Sequence, residues 1–276
     1  MYRVSKDSRV YRKEYEMNLY KANDIEEALR LKVKYPDATL FAGGSDVVVA
    51  LQKDTITDLI DISHLSSLNF IKEDNHKIEI GALTTINTLL QNDEIKKHLP
   101  LLNQVAQTFA SHQIRNIATL GGNIINDSPV ADFIAPLIVL GTTVKLVSLQ
   151  GERVIPLEQL FDGYKSLTLE NEILISFEIP IQEGKFYYRK VGARKQLNIA
   201  KLSLCLFYSD NKYKLSGASL NPYTKRFLHI EKILENENFT QDELIIAIQK
   251  DISPHSNKDY KQKVLLNLIN EALEAL

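Results

Sequence analysis

One cysteine, Cys205, in a chain of 276 residues excludes a disulfide within the chain, and with it any iron–sulfur cluster or zinc held by several thiolates. Its surroundings, LSLCLFY, are apolar and predict a buried side chain rather than a reactive thiol. The 6 histidines are scattered with no pair at metal-ligand spacing, so no protein-held metal is expected. An excess of positive charge is also lacking. Lys and Arg number 33 against 35 Asp and Glu, a formal charge of −2, which provides no field to draw the chain onto nucleic acid or an anionic membrane. The apolar run FIAPLIVLG is broken by Pro136 and falls far short of the roughly 20 residues of a spanning helix. The opening MYRVSKDSRVYRKEYEMN is charged, unlike a secretory signal. A cytoplasmic location is therefore expected. Neither G-x-G-x-x-G nor G-x-x-x-x-G-K-[ST] occurs, which argues against a Rossmann dinucleotide site and a P-loop.

What is present is an ordinary globular composition, 44% hydrophobic and 25% charged, in a length that suits two domains. NDIEEALRLKVKY predicts a first helix. Asn23 is its expected cap, Glu26 answers three residues later, Ile25, Ala28, Leu29 and Val33 share one face, and Pro36 stops it. ATLFA, DLIDIS, KIEIGALT, TTVKLVS and EILISFEIP read as strands, and Pro100 opens an amphipathic helix carrying Leu101, Leu102, Val105, Ala106 and Phe109. After Pro180 the pattern changes to KFYYRKV and LSLCLFYSDNKYKLSGASL, with a hairpin expected at Asp210-Asn211. Two helical segments follow, the last carrying Val264, Leu265, Leu268, Ile269, Ala272 and Leu273 on one face. A domain of residues 1–180 followed by a smaller one, 181–276, with helices on a small sheet, is the expected organisation.

Two glycine pairs, FAGGSD and TLGGN, are each entered from a regular element. Glycine takes up positive φ and lets the backbone approach a ligand, so successive N–H groups can form a concave nest for an anion. Ser45 and Thr119 place a hydroxyl beside each pair, and two nests match the two halves of a pyrophosphate. Asp132 suits a sugar diol, since a carboxylate accepts from two hydroxyls. Either pair alone reads more readily as a turn; the two together, each followed by a short polar residue, favour a phosphate-bearing ligand.

LFAGGSDVVV, IGALTT, SHQIRNIATLGGNIINDSPVADFIAPLIVLG and NEILISFEIP, in this order, followed by FYYRKVGARKQLNIAKLSLCL and SPHSNKDYKQKVLLNLINEAL, resemble the FAD-binding medium subunit of the xanthine dehydrogenase and carbon monoxide dehydrogenase family of molybdenum hydroxylases. The resemblance implies an α+β fold: a two-part FAD-binding domain of the vanillyl-alcohol-oxidase (PCMH) type, then a small domain of a three-stranded antiparallel sheet with helices. It implies that Ala42, Gly43, Gly44, Ser45, Asp46 and Val47 form a first pyrophosphate loop, and Thr119, Gly122 and Asn123 a second. It also implies Ile125 against the flavin, Asp132 on a sugar hydroxyl, Phe109 and Ala110 by the adenine, Ile175 by the isoalloxazine and Lys190 near the flavin pyrimidine edge. Lys190 lies in the cationic run YYRKVGARK, otherwise read as a solvated face. No catalytic side chain and no metal ligand is expected, because redox chemistry belongs to the cofactor while the protein supplies position and potential.

With one cysteine, the chain cannot carry the family's two [2Fe–2S] clusters, and it has no room for a molybdopterin domain. The resemblance therefore implies a [2Fe–2S] subunit and a molybdopterin subunit as partners, in a heterotrimer or its dimer. Electrons would pass from the clusters through FAD to NAD+ or another acceptor. The alternatives are a flavoprotein subunit of a related molybdenum oxyanion reductase, a stand-alone flavin reductase of the same fold such as a UDP-sugar reductase, and a non-catalytic nucleotide-binding scaffold.

Overall fold

The computed structural model describes residues 17–51, 58–192, 199–236, 238–253 and 258–276. The chain opens with β1 (Asn18–Lys21), α1 (Ile25–Lys34), β2 (Thr39–Phe41), the short α2 (Val47–Leu51) and β3 (Asp58–Asp61). The three strands form a parallel sheet in the order β1-β3-β2. Helix α1 is capped one residue later than its sequence suggests. Asp24 is extended and accepts from the Glu27 N–H at 2.8 Å, while Glu27 reaches back to the Asn23 N–H at 2.8 Å. Asn23 and Asp24 both have capping chemistry, and burial of Ala28 and Leu29 against the sheet selects the register. Val33 stays half exposed.

The middle of the chain contains β4 (Ile71–Asp74), β5 (Lys77–Gly81), α3 (Ile86–Gln91), α4 (Asp93–His98), α5 (Pro100–Thr108), α6 (His112–Ile117), α7 (Leu120–Ile125), α8 (Ile134–Val139), β6 (Thr143–Ser148), β7 (Gly151–Pro156), β8 (Phe161–Gly163), β9 (Ser166–Leu167) and β10 (Ile173–Pro180). Five of the strands make an antiparallel sheet, β4-β5-β10-β6-β7, and β8 pairs with β9. Pro100 stands at the first position of α5, where a missing N–H costs nothing, and Leu101, Leu102, Val105 and Ala106 are buried; Phe109 falls just beyond the helix as its C-cap. Every residue of α8 is buried, with Pro136 tolerated in the first turn.

The C-terminal third holds β11 (Lys185–Gly192), β12 (Ala200–Ser209), β13 (Lys212–Ser216), α9 (Leu228–Leu234), α10 (Gln241–Asp251) and α11 (Lys258–Ala275). The strands form a three-stranded antiparallel sheet, and the β12–β13 hairpin turns through Asp210 and Asn211, both at positive φ (51° and 59°), as a two-residue turn of right-handed twist requires. Three helices follow where two helical segments were expected. The run LSLCLFY is buried on both faces of the sheet: Leu202, Leu204 and Leu206 join the core with α9, α10 and α11, while Cys205 and Phe207 face the core built on the five-stranded sheet. Cys205 is fully buried, and burial pushes its thiol pKa well up, which makes it inert. Among the described residues no helix is long and apolar enough to cross a membrane, and no cluster of His, Cys, Asp and Glu could hold a metal ion.

Asp127, directly after α7, is 2% exposed and sits at φ 41°. Neither carboxyl oxygen makes a hydrogen bond of ordinary geometry, and burial raises its pKa to about 6, opposed by the nearby Ser166 N–H and the Lys165 charge. The folded state thus holds this proton more tightly than the unfolded chain. Stability from this group is full below the unfolded value near 3.8 and is lost as pH rises through about 6. Asp127→Asn is expected to gain on the order of 2 kcal/mol over the parent at pH 7.5, with most of that difference gone at pH 4.5. Urea unfolding at the two pH values checks it; an equal gain at both would remove the titration from the explanation.

Candidate functional site

Both glycine pairs reach one cleft between the N-terminal parallel sheet and the α5–α7 region. A cavity of about 260 Å³ is lined by Ala42, Gly43, Gly44, Ser45, Asp46, Val47, Phe109, Thr119, Gly122, Asn123 and Ile125, together with Thr39, Leu40, Ala50, Ala118 and Asn126. It adjoins a second, of about 340 Å³, through Ser45, Asp46, Phe109, Asn123 and Asn126, which Ala110, Asp132, Ser128, Val130 and Ile199 help to line. Of the residues the sequence put at the site, only Ile175 and Lys190 line neither.

The glycines divide their work. A Cβ on Gly43 would stand 1.7 Å from the Ile117 carbonyl oxygen, and one on Gly121 2.7 Å from that of Ala82, so these two let backbones pack. Gly44 adopts φ 71°, which L side chains avoid. A Cβ on Gly122 would meet only Thr119 Oγ1 within 4 Å, at 2.9 Å, so its bare Cα faces the cavity.

The two loops also differ from each other in a way the shared glycine pair conceals. In the first, the N–H groups of Gly43 to Val47 donate to no acceptor among the described residues, which leaves a run of free donors leading into α2. The second is not a nest. TLGGN is the cap and first turn of α7, and four of its five backbone donors are taken: Leu120 N–H by Thr84 O (2.9 Å), Gly121 N–H by Ala82 O (2.9 Å), Gly122 N–H by Thr119 Oγ1 (3.0 Å) and Asn123 N–H by Thr119 O (3.1 Å), while the Thr119 N–H donates to no acceptor among the described residues. This side offers the Thr119 hydroxyl proton and the Asn123 amide, whose oxygen is held by the Phe133 N–H at 3.2 Å. Among the described residues no Lys or Arg lines the first cavity, and Asp46 does, so what they offer an anion there is backbone dipoles and neutral donors.

In the second cavity, Asp132 Oδ2 accepts from Lys190 Nζ at 2.7 Å, with the side chains 9% and 8% exposed. Asp132 Oδ1 is buried without a partner. Burial raises the Asp132 pKa and outweighs the pull of Lys190 in the other direction. Lys190, on β11, is therefore not part of a solvated basic face. Arg194 and Lys195 of the same run lie outside the described residues. Because Lys190 touches Asp132, which lines the same cavity as Phe109 and Ala110, these four residues surround one end of the cleft. Ile175 is at the β-bulge of β10 and packs with Leu40, Ala42 and Leu83 in the N-terminal core, on the other side. Ala42 and Leu83 also border a third cavity, of about 420 Å³, with His64, Asn69, Asn116 and Thr119.

Arg115 was left out by sequence reasoning. Its Nη1 donates to Phe109 O at 2.7 Å and to Ala110 O at 3.3 Å, and so fixes the turn in which Ala110 holds φ 36°. Its partners are backbone carbonyls five and six residues earlier, which no pattern of residue types marks. Asn126, Ser128, Val130 and Ile199 also line the cavities; they lie within the segments that carry the resemblance but were not among the residues expected at the site.

A cleft with a run of free backbone donors at its middle and a buried, half-satisfied carboxylate at one end defines a binding site for an extended ligand with an anionic centre and a hydroxyl-bearing arm. Residues 14–182 match the family described as the FAD binding domain in molybdopterin dehydrogenase, and the chain belongs to that family. It is a flavoprotein component of an oxidoreductase, with FAD as its cofactor. The chain is 28% identical over 250 residues to the glyceraldehyde dehydrogenase medium chain of Sulfolobus acidocaldarius, covering 88% of this chain and 89% of that one. It is also 28% identical over 265 residues to the xanthine dehydrogenase FAD-binding subunit of Escherichia coli O157:H7, covering 91% of each. A chain of carbon monoxide dehydrogenase from Hydrogenophaga pseudoflava superposes with a TM-score of 0.87 at 26% identity, over 94% of this chain and 96% of that one.

Proposed function

We propose that this chain is the FAD subunit of a three-part molybdenum hydroxylase, receiving electrons from a [2Fe–2S] subunit served by a molybdopterin subunit and delivering them to NAD+ or another acceptor. The observation that carries the reading is the run of N–H groups from Gly43 to Val47, without partners among the described residues, opposite Thr119 and Asn123, which fits a diphosphate between two arms. Gly122 leaves the space that such a ligand fills, and the free Asp132 Oδ1 accepts a hydroxyl. Phe109, Ala110 and Asp132 serve one arm, and Lys190, expected at the flavin pyrimidine edge and so apart from Phe109 and Ala110, stands with them through its bond to Asp132; Ile175 and the third cavity lie toward the other. Ile125 closes the floor between the loops.

Bound FAD supplies the ability to take up electrons singly and give them up as a pair. The chain's own residues hold the diphosphate by uncharged donors, place Phe109 against one arm and Ile125 in the floor of the first cavity, and fix the Asp132 carboxylate with Lys190. No side chain of the cleft is asked to move a proton. The single buried cysteine gives this chain no means of ligating a cluster, and relatives named as medium chains support an assembly of several subunits. A cytoplasmic location and a boundary near Pro180, between a cofactor domain and a C-terminal domain, go with this reading.

Co-expression with the two other subunits, followed by size-exclusion chromatography, tests it. The expected result is a heterotrimer or its dimer that turns over substrate, while the chain alone oxidises NADH with an artificial acceptor and hydroxylates nothing. Hydroxylation by the chain alone, or failure to associate with either subunit, would end the proposal.

A further inference from the structure

We propose that the turn formed by Ala218, Ser219, Leu220 and Asn221, clamped by Lys261, is the anchor that positions residues 128–132 and so sets the wall of the second cavity. This makes Lys261, on α11 and lining neither cavity of the cleft, a positioning residue for cofactor binding. The inference rests on the reading of that cavity as part of the FAD site.

Residues 128–132 form a loop between α7 and α8 with little support of its own. Ala131 N–H reaches Ser128 O at 2.8 Å, and Val130 N–H reaches Ser128 Oγ at 3.4 Å. Yet Ser128, Val130, Ala131 and Asp132 all line the second cavity. The loop is tied to the C-terminal sheet at two points. One is the Lys190–Asp132 pair already described. The other is a short hydrogen bond from the Ser219 N–H to Pro129 O, at 2.6 Å.

Ser219 holds φ 64°, a region that a residue with a Cβ occupies only where its surroundings impose it. Those surroundings are unusually complete. Ala218 N–H donates to Ser203 Oγ at 3.2 Å, and Ser203 N–H returns a bond to Ala218 O at 3.3 Å, which fixes the turn to β12. Ser253 N–H donates to Leu220 O at 3.1 Å, and Asn221 Nδ2 to Asp251 O at 3.0 Å, which fixes it to the end of α10. Lys261 Nζ donates to Ser219 O and lies 3.4 Å from Ser219 Oγ. A turn held by β12, α10 and α11 presents one N–H outward, to the loop of the cofactor cleft. The ammonium of Lys261 is partly buried, and burial lowers its pKa.

A positioning role separates from a purely structural one by where the effect appears. In the full chain, Lys261→Met should raise amide exchange at residues 130–132 about tenfold, without matching increases in the five-stranded sheet. Titration followed by flavin fluorescence should show about tenfold weaker FAD binding, the loss expected from one charge-assisted hydrogen bond. Lys261→Arg should restore both. Asn221→Leu, which loosens the same turn without touching Lys261, should reproduce the change at 130–132 and keeps the test open if Lys261→Met folds poorly. Unchanged exchange at 130–132 in both variants, or raised exchange with undiminished FAD affinity, would overturn the proposal. If the parent chain takes up no FAD, the cofactor reading falls, and the exchange result alone still decides whether the turn is the anchor.

Discussion

Gly122→Val should abolish FAD retention by the purified chain while leaving its cooperative unfolding nearly unchanged. The Cα of Gly122 faces the first cavity, and an added Cβ meets only the Thr119 hydroxyl, at 2.9 Å. Displacing that hydroxyl costs a helix cap, about 1 kcal/mol, partly offset by replacing a glycine inside α7. The two γ-carbons of valine have nowhere to go but the cavity, where they occupy the space of the ligand. Binding should weaken by about a hundredfold or more, the scale of overpacking a fitted site. Gly43→Ala provides the contrast: its Cβ would fall 1.7 Å from the Ile117 carbonyl oxygen, so that variant should lose stability before any question of ligand arises. Flavin absorbance per chain and a urea titration on each variant separate the two effects. A Gly122→Val protein with stoichiometric FAD would show that the cleft is not where the cofactor lies.

The second large effect is expected at the buried ion pair. Lys190→Met leaves the Asp132 carboxylate in a nearly dry site with no counter-charge, which should cost about 3–5 kcal/mol at pH 7.5. The sign of the pH dependence follows from burial. Desolvation already raises the Asp132 pKa against the opposing pull of Lys190, and without the lysine it rises further. Part of the loss should therefore be recovered as pH falls toward 5 and the carboxyl takes up a proton. Replacing both partners, Asp132→Leu with Lys190→Met, should restore much of the stability, because no charge is then buried alone. A penalty independent of pH, or a double variant no better than the single one, would contradict this account of the pair.

How much of this was legible beforehand depended on whether local chemistry or tertiary packing decided the outcome. The Asp210-Asn211 hairpin, the Pro100 start of α5 and the burial of Cys205 follow from residue type and pattern, and the structure has each. The edge strand β7, GERVIP, is mostly exposed and carries no apolar alternation, so nothing in its sequence distinguishes it from a loop. The cap of α1 moved by one residue because Asn23 and Asp24 offer the same chemistry and only packing chooses between them. At the site, the glycine pairs marked the cleft but not their different uses. One loop presents donors free of any partner among the described residues, whereas the other spends four of its five on a helix turn and on Thr84 and Ala82, which lie far back in the chain. The Lys190–Asp132 contact spans 58 positions and Arg115 acts through backbone carbonyls, so neither leaves a local pattern to read.

The central claim is that one extended dinucleotide lies across the cleft, its diphosphate on the Gly43 to Val47 donors. Its most direct test is to purify the full chain, release the bound chromophore by denaturation and identify it against a quantified protein concentration. The account predicts flavin bands and one FAD per chain, since the cleft provides separate cavities on the two sides of the diphosphate loop. Release of FMN alone, or a colourless chain that takes up no added FAD, would contradict it.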